Sequence, residues 1–248
     1  MRFSRAAALL AVAAIALSGC TDDGDKLKKP SAGETPSIVD GTATPTQKPS
    51  SSPTAGVTTV PDIPDAFVPS GFVPGLNASW HWQDGSSSDG SKPFGVCAKA
   101  DLASIGAEKV GERTFFPPDD SDDSAAQQVA RFPDAKSAAQ AWAVLDSWRK
   151  ACAAKLGTKL GPKVGSEVSV KLPDEAVGRW YLVSWTPAGE ETGRFEALGM
   201  VRQGELLTVL RITNSGQDYN YPVGQEPMVK MVQLAGLRLF AGLGKSQD

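Results

Sequence analysis

Histidine occurs once in the 248 residues, as His81, while cysteine and tyrosine occur three times each. These shortages exclude several kinds of chemistry. A zinc cage needs several imidazole or thiolate ligands converging on one ion, and one histidine with three cysteines does not supply them. A serine hydrolase needs a histidine base and commonly a G-x-S-x-G turn; the turn is absent, and His81 stands between two tryptophans in SWHWQDG. On a strand His81 would face the opposite side from that aromatic pair rather than act as a base. Charge of one sign is missing as well, with 25 basic against 28 acidic residues. There is no basic stripe for nucleic acid and no basic amphipathic helix for anionic lipid, so neither is expected as the principal partner.

What is present begins with a leader. Arg2 and Arg5 precede an apolar run from Ala6 to Leu17, which closes on Ser18 and Gly19. The run is about 12 residues, short of the ~20 a membrane-spanning helix requires, so residues 1–19 read as an export signal that is removed. Leu17-Ser18-Gly19-Cys20 resembles the bacterial lipobox, in which the cysteine sulfur accepts a diacylglycerol. The resemblance implies that Cys20 carries the lipid and ties the chain to the outer face of the cell membrane, since two acyl chains anchor stably where one is marginal. Without Arg2 and Arg5 the formal charge moves from −3 to about −5.

With Cys20 so employed, Cys97 and Cys152 remain in an oxidising compartment. Neither lies in a C-x-x-C motif, and the economical expectation is one disulfide between them. Closing that loop stabilises the fold by roughly 4 kcal/mol on the chain-entropy model.

Residues 20–60 hold no aromatic and no hydrophobic period; Ser, Thr, Pro, Gly and Ala dominate, as in GTATPTQKPSSSPTAGVTTVP. Such a segment cannot bury enough apolar surface to offset its chain entropy, and it is expected to be a tether with a reach of roughly 35 Å. All six tryptophans and eight of the nine phenylalanines follow Pro61, so residues 61–248 are expected to form one domain.

Within it, Asp134 can cap a helix in which Ala138, Ala141, Trp142, Leu145, Trp148, Cys152 and Leu156 recur at three- and four-residue steps until Gly157. AAQQVARF before it and EVSVKL after it have strand character. RWYLVSWT, RFEALGMVR and ELLTVLRIT make a meander with a tight turn at Gln203-Gly204, apolar on both faces and therefore in need of cover on both. The cysteine helix is one cover. A C-terminal helix from about Gln225 is the other, with Met228, Val229, Val232, Ala235, Leu239 and Phe240 turned inward. The expected fold is α+β, an antiparallel sheet covered by helices with one disulfide.

The order of a cysteine, an acidic loop, a strand ending in Phe132-Pro133, an alanine-rich helix carrying Trp148 and Cys152, then strands and a closing helix resembles the PknH-like extracellular sensor domain. ARFPDAKSAAQAWAVLDSWRKAC is the sharp part of the likeness. That domain family occurs as the outer part of actinobacterial receptor kinases and as free-standing lipoproteins. The resemblance implies pairing of Cys97 with Cys152, core positions for Phe132 and Trp148, and a sensor or binding role without a kinase in this chain. The kinase-borne form has a second disulfide near its C-terminus; here no cysteine follows Cys152.

The remaining acids offer little. Asp119, Asp120, Asp122 and Asp123 in PPDDSDDS lack the glycine and distal glutamate of an EF-hand and read as a solvated loop. Asp174, Glu175, Glu190 and Glu191 fall in expected turns, so a glycosidase pair would have to be assembled in space. The expectation is a non-catalytic, lipid-anchored sensor-like domain without metal or cofactor. It would bind a small ligand or cell-wall component in a cleft beside the sheet, with Trp80, Trp82, Tyr219 and Tyr221 as candidate liners. An envelope scaffold that docks another protein is the alternative.

Overall fold

The computed structural model describes residues 63–119, 121–173, 175–216 and 219–244. The leader, Cys20 and the tether lie outside the described residues, as do Asp120 and Asp174. Two antiparallel meanders join in one eight-stranded sheet. The first comprises β1 (Gln83–Ser88), β2 (Lys109–Phe116) and β3 (Ser124–Arg131). The chain then passes through helices α1 (Ala135–Lys150) and α2 (Cys152–Leu156) and two short strands, β4 (Lys163–Val164) and β5 (Val168–Val170). The second meander is β6 (Val177–Trp185), β7 (Gly193–Gln203) and β8 (Leu206–Gly216), followed by helix α3 (Pro227–Gly244). The spatial order is β1-β2-β3-β8-β7-β6-β4, with β5 also on β6 and every pair antiparallel.

Both faces of the sheet are apolar because its central strands alternate between two cores. In β7, Ala197 and Val201 join the core under α3, with Met228, Val232, Ala235 and Leu239 of that helix. Leu198 and Met200 point the other way, Met200 toward Ala138 and Trp142 of α1 and Leu198 toward the Cys97–Cys152 disulfide. Gly199 permits the close seat of α3: a Cβ there would stand 2.6 Å from Met228 Sδ and 2.8 Å from Val232 Cγ2.

Helix α1 starts as its sequence requires, with the Asp134 carboxylate accepting the Ser137 N–H at 2.7 Å. It does not run unbroken to Gly157. The chain turns at Ala151, and Cys152 opens α2, joined to Cys97 with 4.9 Å between their Cα atoms. Phe240, expected on the inner face of α3, is 43% exposed. Met228, Val232, Ala235 and Leu239 already fill the stripe at helical spacing, and one further residue rotates the chain out of the core.

An arm of two short 3-10 turns, Ile63–Ala66 and Ser70–Phe72, completes the α3 core. It is stitched down by Gln127, wholly buried on β3. Gln127 Oε1 accepts the Val68 N–H at 2.9 Å, while Nε2 donates to Ala66 O at 3.2 Å and to Thr208 Oγ1 at 3.1 Å. No helix among the described residues is long and apolar enough to cross a membrane.

Candidate functional site

The two aromatic pairs singled out in the sequence meet the same loop, residues 74–80. Trp82 is buried and its Nε1 donates to Pro74 O at 2.9 Å. Trp80 is half-buried and packs edge-on to Trp82 with 5.4 Å between ring centroids. His81 lies between them on the exposed side. From the other end of the chain, Tyr221 Oη donates to Leu76 O at 2.9 Å, and Tyr219 packs edge-on to Tyr221 at 4.8 Å.

The loop is tightly constrained. Asn77 Oδ1 accepts from Ser79 N at 3.0 Å and Oγ at 2.9 Å, closing an Asx-type turn. A Cβ at Gly75 would stand 2.5 Å from Trp80 O. Opposite, Gln225 N–H donates to Pro222 O at 2.9 Å, and Gly224, with φ of 82°, turns the chain into α3.

Between these walls runs an open groove of about 460 Å³. Pro74, Leu76, Tyr221, Pro222, Pro227 and Leu234 give it apolar sides; Asn77, Gln225 and Lys230 are its polar members. Of the four aromatic candidates only Tyr221 lines it. Trp82 holds the loop from beneath, while Trp80 and Tyr219 pack against the α3 core.

Three polar atoms in these segments are buried without a partner: Trp80 Nε1, Tyr219 Oη and Glu226 Oε2. Buried polar groups are normally hydrogen-bonded, and an orphan costs about 1–3 kcal/mol. Burial, with Tyr221 and Glu226 nearby, pushes the Tyr219 hydroxyl well above the usual phenol range, so it remains a donor. The segments thus carry two unused donors and one unused carboxylate oxygen.

Two further hollows differ in character. The apolar void under the disulfide, bordered by Phe94, Cys97, Trp148 and Tyr181, is about 30 Å³, room for about one water. A depression of about 370 Å³ at the end of β6 and β7 is lined by Lys163, Trp185, Glu191 and Phe195.

The acidic residues have structural or solvent roles. Asp123 Oδ1 accepts the Ser215 N–H at 2.9 Å, and burial raises its pKa. Asp122 and Glu190 each pair with Arg194. Among the described residues, no group of three histidine, cysteine or carboxylate side chains could hold a metal ion.

Lys230, Pro222 and Gln225 were not legible as groove residues. Pro222 and Pro227 flanking Gly224 mark the turn, but no local pattern says that residues 74–78 cross it.

No protein-family model matches the chain, and no curated protein matches it. Among solved structures, the extracellular domain of PknH from Mycobacterium tuberculosis matches over 66% of this chain and 85% of that one, at 17% identity and a TM-score of 0.35. A likeness at that level leaves the ligand question to the geometry of the groove.

Proposed function

We propose that this chain is a lipid-anchored, extracytoplasmic sensor-like domain without catalytic activity, which binds a small ligand or cell-wall component between loop 74–80 and the start of α3. The observation that carries the reading is the groove: about 460 Å³, apolar on its sides, with Lys230, Gln225 and Asn77 around it. Ligand sites commonly combine a largely apolar concavity with a few convergent polar groups. The disulfide fits an oxidising compartment, and the lipobox-like Leu17-Ser18-Gly19-Cys20 supplies the means of retention. The non-catalytic reading is supported by the character of the site. The groove's polar members are Asn77, Gln225, Lys230 and the Tyr221 phenol, and the exposed His81 is not among its lining residues.

The test is mass spectrometry of the full chain extracted from membranes of the producing cell, under native and denaturing conditions. The denatured mass reads acylation at Cys20. The native mass is expected to show a bound species that is lost in Ala78→Trp, a change that fills the groove from its exposed rim. A native mass no larger than the acylated denatured mass would end the ligand reading while leaving the anchor standing; a denatured mass without acyl chains would end the anchor.

A further inference from the structure

The outer face of α3 presents hydrophobic residues and cations together. Leu237 is 50% exposed and Phe240 43%; Phe72, which shares a furrow of about 190 Å³ with Leu234, Leu237 and Arg238, is 66% exposed. Val223, almost fully exposed, precedes the helix by four residues. Four of the six large exposed hydrophobics among the described residues therefore lie along this one helix and the segments beside it. The charged residues of α3 are Lys230 and Arg238, both cations. The acids at its margins are Glu226, ahead of the helix, and Asp65, beside Arg238.

The point of attachment lies on the same side. Arg238 donates to Phe67 O at 3.2 Å and to Asp65 O at 2.7 Å, holding the arm against the helix. Ile63 opens the described fold two residues before Asp65. The described chain therefore begins two residues from the Arg238 contact.

We infer that this face, with Phe72, Val223, Lys230, Leu237 and Phe240, rests on the anionic lipid surface to which Cys20 is anchored. The inference depends on the acylation of Cys20 proposed above. Two cations attract anionic lipid too weakly to hold a free protein, and the apolar strip must share the work. An anchored chain does not need strong contact. The tether expected from the composition of residues 20–60 would confine the face near the surface at an effective concentration on the order of millimolar, so that a weak contact is populated. This explains how a chain without a polybasic segment can still dock. A protein partner could also cover the hydrophobic strip, but the cationic helix and the attachment beside it favour lipid.

The test uses the full lipidated chain in vesicles, with a polarity-sensitive fluorophore on Leu237→Cys or on Gln233→Cys, an exposed polar site on the same helix, and on Ser87→Cys of β1 as the control. In vesicles containing phosphatidylglycerol, nitroxide-bearing lipids should quench positions 237 and 233 severalfold more than position 87. The difference should shrink in pure phosphatidylcholine or high salt. Equal quenching at all three positions in chain that floats with the vesicles overturns the docking face alone. So does shielding of 237 in whole cells without shielding in vesicles, which assigns the strip to a protein. Chain that fails to float overturns the anchor, and this inference with it.

Discussion

The carboxylate of Glu196 accepts the backbone N–H of Val96 at 2.6 Å, a bond between β7 and a loop 100 residues earlier in the chain. Lys155 Nζ donates to Val96 O at 2.7 Å and to Ala98 O at 2.6 Å, so polar contacts bracket Cys97 on both sides. The disulfide is thus one part of a clamp that fixes loop 94–98 to the sheet and to α2.

The first prediction follows from the burial of Glu196, 3% exposed. Burial raises its pKa above 4.5, offset in part by the Val96 N–H, Arg211 and Lys155. Between about pH 4.5 and the raised folded value, the folded state keeps a proton that the unfolded chain releases, so stability falls as pH rises through that window. Glu196→Gln retains an acceptor for Val96 and should abolish this fall. Urea midpoints measured from pH 4 to 8 in both proteins check it, and parallel curves would refute the assignment.

Removing the covalent part of the clamp should be costly. Cys97→Ser with Cys152→Ser is expected to lose about 3–4 kcal/mol of unfolding free energy, the entropy of a 55-residue loop. Denaturant unfolding of the double variant against the oxidised wild type measures this. The polar contacts at Val96 and Ala98 should keep the fold recognisable by circular dichroism.

Gln127→Ala should release the arm. The change leaves Val68 N–H and Ala66 O without their partner in a buried site, at a cost of about 2–4 kcal/mol. Hydrogen exchange is the sensitive readout: the Val68 amide should exchange faster while amides of β7 and β8 are little changed.

Gly199→Ala should displace α3. The new methyl meets Met228 Sδ and Val232 Cγ2 at under 3 Å, and overpacking of this kind costs about 1–3 kcal/mol. The thermal midpoint should fall in Gly199→Ala and recover in part when Val232→Ala makes room. Failure of the second change to compensate would place the strain elsewhere.

The central fold was legible because its strands and helices carry periodic hydrophobic signals. The three strands between Val177 and Gly216, the Asp134 cap and the inner stripe of α3 each have a local cause that sequence expresses. β1 has none: QDGSSS holds no apolar residue and becomes a strand by pairing with Glu112, Arg113, Phe115 and Phe116 of β2. The arm at 63–72 was hidden for a related reason, since its anchor is a glutamine on β3 some 60 residues away. At the groove, the aromatic signal marked two segments that meet in space, yet only Tyr221 lines the hollow between them, because Trp82 and Tyr219 serve packing. Their orientation depends on tertiary contacts that no window of sequence contains.

The rims of the sheet have a consequence for encounters between copies of the chain. On one side β1 is polar and its pairing slips between Asp84 and Ser87; on the other, β6 is covered in two pieces by strands of two and three residues. Interrupted borders are poor templates for a second chain to zip onto. Copies that meet edge to edge should therefore resist fusing into ribbons.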